Sequence, residues 1–145
     1  LDREDVSPDW ILTLPPTSPF RTAATIRAFI DAVTAAPHDQ DCLMSVTENR
    51  GDFWRAEADG LLERLVPGAP RRQQDREPLL EENSAIYLTA VRSLRATGSV
   101  IGGRVRGKAI DPAEAFDINT EFDLRVAEGM LAARRRAGDG ARENA

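Results

Sequence analysis

The first 47 residues constrain the fold more than any other part of the chain. Trp10-Ile11-Leu12-Thr13-Leu14 is a short, mostly apolar run stopped by Pro15-Pro16, which reads as a buried strand opening into a fixed loop. Ile26, Phe29, Ile30 and Val33 then fall at i, i+3, i+4 and i+7, the stripe of an amphipathic helix. Thr22 is its N-cap, and Pro37 requires it to stop. Residues 42 to 47 form a second apolar strand. Strand, helix and strand with short connections make a βαβ unit, which favours a parallel sheet covered by helices.

The remainder is less regular. Asp52 to Val66 alternates loosely around Asp59-Gly60 and predicts a hairpin. Residues 67 to 78 read as a polar loop, and Ser84 to Thr89 as a strand. Thr89 is expected to cap a short helix carrying Val91 and Leu94 and ended by Gly98. A further strand is expected from Arg104 to Ile110. In the last helix Thr120 and Asp123 form a capping-box pair, with Leu124, Ala127, Met130 and Leu131 as the buried face. The expected organisation is one α/β domain over 1–136 and a disordered tail over 137–145.

Charge and composition narrow the setting. A net charge of −5 argues against a general grip on nucleic acid. The 30% of charged residues leaves no apolar run of the roughly 20 residues a membrane span needs. All but one of the 19 basic residues are arginine, the exception being Lys108; the simpler reading of that bias is a GC-rich genome. The lone Cys42 sits in an apolar run and reads as a buried strand residue of a cytoplasmic protein. His38, also alone, offers no metal cluster. The charged opening Leu1-Asp2-Arg3-Glu4-Asp5 is unlike a signal segment.

Three segments carry more polar information than a core requires. The first is Leu14 to Arg21, a proline-stiffened loop at a strand end, with Thr17 and Ser18 hydroxyls in set positions. The second is Arg71-Arg72-Gln73-Gln74-Asp75 with Glu82-Asn83-Ser84-Ala85-Ile86-Tyr87. Arg clamps carboxylates, while Asn and Tyr hydrogen-bond hydroxyls, a combination suited to an acidic sugar. The third is Phe116 to Asp123, in which Asp117 and Asn119 share a face of extended chain and offer oxygens of the kind Mg²⁺ takes. Each also has a plainer structural reading: a rigid capping turn, a solvated charged loop with an ordinary strand tyrosine, and a helix cap.

In this order the three segments resemble the acylneuraminate cytidylyltransferase family. Its pattern Leu-Gln-Pro-Thr-Ser-Pro-Leu-Arg is matched by Leu14 to Arg21. Arg-Gln-Asp or Arg-Gln-Gln is matched by Arg72-Gln73-Gln74, and Glu-Asn-Gly-Ala-Ile-Tyr by Glu82 to Tyr87. Ile-Asp-Ile-Asp-Thr-Glu-x-Asp-Leu is matched by Phe116 to Leu124. The resemblance covers the chain to about Ala133.

It implies a Rossmann-like, mostly parallel sheet with flanking helices, of the nucleotide-diphospho-sugar transferase type, whose opening strands and CTP-binding loop lie outside this chain. It implies transfer of CMP from CTP to the hydroxyl of a nine-carbon keto-acid sugar, with release of pyrophosphate. By position, Asp117 would be catalytic and would hold Mg²⁺ with Asn119. Arg72 would hold the sugar carboxylate. Gln73, Asn83 and Tyr87 would contact the sugar, and Pro16, Thr17 and Ser18 would floor the pocket. Residues 50 to 105 would form a small β-rich dimerisation region of a homodimer.

The chain departs from the pattern at Pro15 (Gln in the family), Asn119 (often Asp), and Ser84 (Gly, the milder change). The interval from Arg72 to Asn83 is one residue longer than in the family pattern, which leaves Arg71 as a second candidate. Two other readings compete: a non-catalytic dimerisation or sugar-binding remnant, and a nucleotidyltransferase for another nucleotide or sugar.

Overall fold

The computed structural model describes residues 7–36 and 39–143. His38, Pro37 and the charged opening at Leu1–Asp5 lie outside the described residues, so the expectations placed on them stay as they are. The elements are β1 (Trp10–Thr13), α1 (Ala23–Ala35), β2 (Cys42–Asn49), β3 (Trp54–Ala56), β4 (Leu62–Arg64), β5 (Leu79–Ala90), α2 (Val91–Thr97), β6 (Val105–Ala109) and α3 (Glu121–Glu143).

Four strands form one sheet in the order β1-β5-β2-β6, and β3 and β4 form a separate hairpin. β2 pairs parallel to β6, while β5 runs antiparallel to both β1 and β2. Three of the four strands therefore point the same way, as a mostly parallel sheet requires, although the two pairings made by β5 are antiparallel. The crossover from β1 through α1 to β2 leaves room for one strand, and β5 fills it.

α1 forms where its stripe predicts, with the Thr22 hydroxyl accepting from the Thr25 N–H as the N-cap. Its apolar face packs Phe29 and Val33 onto Leu43, Ala85, Ile86 and Leu88 of the sheet. The opposite side of the sheet is closed by the segment after α2. There the Cys42 thiol and the Thr89 hydroxyl both donate to the Val100 carbonyl. Cys42 is fully buried, as expected, and burial pushes its thiol pKa up. Its thiolate form is correspondingly disfavoured.

Four local expectations change. The strand expected over 84–89 is longer, because Leu79 to Glu82 pair with Asn49 to Val46. Thr89 does not cap α2; Ala90 holds that position without a side-chain bond, since the Thr89 hydroxyl is turned to Val100. Gly98 does end α2 in the left-handed conformation, φ 68°. Of the expected buried face of α3 only Ala127 is buried, whereas Leu124 and Leu131 are 42% and 43% exposed. The helix instead attaches at its flank, with Arg134 4.6 Å above the Phe20 ring and Phe20 against Phe116. Its backbone passes the expected boundary at residue 136 and runs to Glu143.

Candidate functional site

The carboxyl ends of β1, β2 and β6 lie at one end of the sheet, together with the amino-terminal half of β5. Ligands bind at this end in open α/β sheets. The loop after β1 brings Thr17 and Ser18 to the segment that follows β6. Ile118 N–H donates to Thr17 O at 2.9 Å, and the buried Ser18 hydroxyl reaches Asp117 Oδ1 at 3.5 Å. Asn119 Nδ2 donates to Asp117 Oδ2 at 2.9 Å. The Thr17 hydroxyl, then Asn119 and Ser18, hold the Asp117 carboxyl below the usual range against a smaller opposing effect of burial. It is ionised at neutral pH. Two of the three sequence segments thus meet at one carboxylate.

Beside it lies a cleft of about 430 Å³ whose walls include Thr47, Glu82, Asn83, Ser84, Asp117 and Asn119. Asn83 stands at an irregularity in the β2–β5 ladder: between the pairs Met44–Tyr87 and Val46–Glu82, Ser45 alone on β2 lies opposite four residues of β5, Asn83 to Ile86. Its Oδ1 accepts from the Ser45 hydroxyl at 2.6 Å and from Ala85 N–H at 3.2 Å. Its Nδ2 donates to Thr47 Oγ1 at 2.9 Å. Both acceptor positions are filled and one N–H remains for a ligand.

Ser45 and Thr47 were not singled out in the sequence. The available signal was two hydroxyl residues on one face of an otherwise apolar strand. Arg21, in the first segment, was likewise given no role. Its Nη1 donates to Ala85 O at 2.6 Å and faces Asp117 electrostatically; burial lowers its pKa and the Asp117 charge opposes that effect.

Ser84 corrects a sequence reading. Its φ is 57°, the left-handed region that glycine occupies without penalty. The change from the family's glycine is therefore one of backbone energy, not a mild one. Tyr87 is buried, donates to Glu82 Oε1, and has its phenol pKa raised by burial and then by that carboxylate. It meets the cleft through Glu82 rather than directly.

Pro16 and Thr17 are exposed in the turn above Ser18. Arg72 and Gln73 are not in the cleft wall. Arg72 precedes a short 3₁₀ turn over Gln73–Asp75, with its side chain exposed. Arg71 is the one held, with Nη1 3.7 Å from Asp52.

Among the described residues no group of three His, Cys, Asp or Glu side chains is arranged to hold a metal. One ionised Asp117 fits the other mode of Mg²⁺ binding, in which one or two carboxylates are completed by waters and substrate phosphates. Asn119 presents its amide nitrogen to Asp117, so its amide must turn over to offer the oxygen.

Solved structures share this arrangement of sheet and helices, among them 4-diphosphocytidyl-2C-methyl-D-erythritol synthase from Anaerococcus prevotii DSM 20548. The two have the same fold. The TM-score is 0.59 over 88% of this chain and 62% of the synthase chain, at 11% sequence identity. This chain therefore spans less than two thirds of the synthase's length, and at 11% identity the likeness speaks for architecture alone. No protein-family model matches the chain, and no curated protein matches it in sequence. The synthase-like architecture accounts for the placement of the cleft at the strand ends. No described helix is long and apolar enough to cross a membrane.

Proposed function

We propose that this chain is the acceptor-side part of a cytidylyltransferase that joins CMP from CTP to a hydroxyl of a nonulosonic, nine-carbon keto-acid sugar, releasing pyrophosphate. The observation that carries the reading is the convergence of Asn83, Asp117 and Asn119 on one cleft from segments far apart in sequence, with the buried Ser18 reaching Asp117 from behind it. The synthase-like fold supports a nucleotide substrate, and a nucleotide substrate supports a cytoplasmic setting.

The reaction is in-line attack of a hydroxyl on the α-phosphorus. Its demands are alignment and the neutralising of charge on phosphate oxygens. Ser18, Thr17 and Asn119 keep Asp117 ionised and fixed at the mouth of the cleft. Asp117, with the Asn119 oxygen, would hold Mg²⁺, which supplies Lewis-acid stabilisation of the phosphate charge. Asn83 and the Tyr87–Glu82 pair orient the sugar.

The hairpin module completes the reading. Leu61 and Leu62 are 69% and 63% exposed, with Leu65, Val66 and Trp54 beside them. Several exposed apolar side chains in one short segment are of the kind a partner surface covers. The proposed occupant is a second copy of the chain, so that the exposed Arg72 on one protomer reaches the sugar carboxylate bound by the other.

The test is pyrophosphate release by the intact protein with CTP, Mg²⁺ and a nonulosonic acid. Asp117→Ala is expected to remove turnover, and near-normal turnover in that variant would dismiss Asp117's role. Release with ATP, GTP or UTP but not CTP would favour a different nucleotidyltransferase. No release with any nucleotide would favour a binding or dimerisation module.

A further inference from the structure

Ser84 is the one non-glycine residue with a left-handed backbone among the described residues, and it lies in the cleft wall. Such a conformation persists only where the surroundings impose it. They do so here from both sides. Asn83 is anchored to Ser45 and Thr47, and it accepts from the N–H of Ala85. The carbonyl of Ala85 is held by Arg21, and the N–H of Ile86 by the Ser45 hydroxyl. The backbone on either side leaves the Ser84 side chain little choice of direction. Its hydroxyl interacts with the Tyr87 phenol, which donates in turn to Glu82. Ser84 and Glu82 both line the cleft.

The chemistry of the wall says what suits it. Its charged side chains are Glu81, Glu82 and Asp117, and neither Arg nor Lys lines it. An anionic group placed there would meet carboxylates without compensation. Hydroxyl groups would be well served, because they donate to carboxylate oxygens and accept from the remaining Asn83 N–H. Glu81 and Glu82 are each held from behind on one oxygen, by Asn49 and Tyr87, leaving the other oxygen to accept.

We propose that Ser84 is a specificity-determining residue which, with Glu82 and Asn83, forms a subsite for the neutral vicinal-hydroxyl portion of the acceptor, the acceptor's carboxylate lying outside this wall. The inference rests on the reading of the cleft as the acceptor site. It assigns that site's selectivity to a side chain that the family pattern lacks.

The experiment measures binding by the full chain of N-acetylneuraminic acid and of its seven-carbon analogue, made by periodate cleavage of the glycerol tail and reduction. Wild type is expected to prefer the nine-carbon sugar. Ser84→Ala, which keeps the backbone strained, should weaken binding of that sugar about three- to tenfold, the range for one lost hydrogen bond. It should leave the shortened analogue unaffected. Ser84→Gly should lose the same affinity while raising Tm, which separates the hydroxyl from the strain. Equal affinity of Ser84→Ala and wild type for the nine-carbon sugar would overturn the proposal. If wild type binds neither sugar, the nonulosonic acid reading falls and D-sorbitol decides the subsite. Shifts of the Asn83 side-chain amide signals that weaken in Ser84→Ala would sustain it, and no shift in wild type would overturn it.

Discussion

The sheet with α1 and the β3–β4 hairpin are held by opposite means. In the sheet, Phe29 and Ile86 are fully buried and the strands share one apolar layer. In the hairpin, the large apolar side chains face outward and the ordering is electrostatic. Asp52 accepts a two-pronged contact from Arg64 at 2.6 and 2.8 Å, and it also receives Arg76 at 3.3 Å. Arg76 in turn donates to the carbonyls of Arg50, Pro70 and Arg71. One carboxylate thus organises the module while its apolar surface is left uncovered. A core stabilises itself, whereas a module built this way is shaped to be completed by something else.

The contrast can be broken most forcefully at Phe29. Phe29→Ala removes a large side chain from the shared layer and is expected to cost about 3–5 kcal/mol, read as a fall in urea midpoint for the whole chain. Retention of the wild-type midpoint would mean that α1 does not hold the sheet. Asp52→Asn should act locally, abolishing amide protection across 52–76 while β2 and β5 keep theirs. The same carboxylate gives the hairpin a pH dependence. The Arg64 contact lowers the Asp52 pKa in the folded state, so its stabilisation is complete above the ordinary carboxylate value and fades as pH falls through the lowered one. Hydrogen exchange at pH values below the ordinary carboxylate range would reveal this as hairpin opening ahead of the sheet.

Smaller effects sharpen the comparison. Ser84→Gly should raise stability by about 1 kcal/mol by relieving the left-handed backbone, measured as a shift in chemical midpoint. Leu62→Ser should change monomer stability by no more than about 0.5 kcal/mol. Its consequence should appear in sedimentation as loss of self-association. Unaltered association would move the proposed interface away from the hairpin.

The legibility of the chain in its sequence follows the same division. α1, its Thr22 cap and the Gly98 stop depend on neighbours within a turn or two, so periodicity and end chemistry specify them. The Thr120–Asp123 box is equally local, with Thr120 N–H and Asp123 N–H each bonded to the other's side chain at 2.8 and 3.2 Å. The insertion of β5 between β1 and β2 is a long-range pairing that no local period encodes. Leu79 to Glu82 carry no strand pattern in the sequence, because Leu-Leu-Glu-Glu does not alternate. The α3 stripe was read as buried because amphipathicity records that a helix has an apolar side, not what covers it. At the site, the meeting of Ser18 with Asp117 was foreshadowed by motif order. The Asn83 network was not, because it depends on which strands are neighbours. The meaning of Ser84 required a backbone angle, which residue identity alone does not supply.

β5 carries a consequence of its own. Leu79, its first residue, forms part of a roughly 340 Å³ groove with Phe53, Val66 and Pro78 beside the hairpin. Asn83 and Ser84 then stand in the cleft, and Ile86 to Ala90 are sealed in the core. A single strand therefore runs from an exposed end at Leu79, through the cleft wall at Asn83 and Ser84, to a fully buried end at Ala90. A displacement of the exposed Leu79 end would be taken up at the irregular segment around Asn83 and Ser84, because the strand beyond it is held by burial.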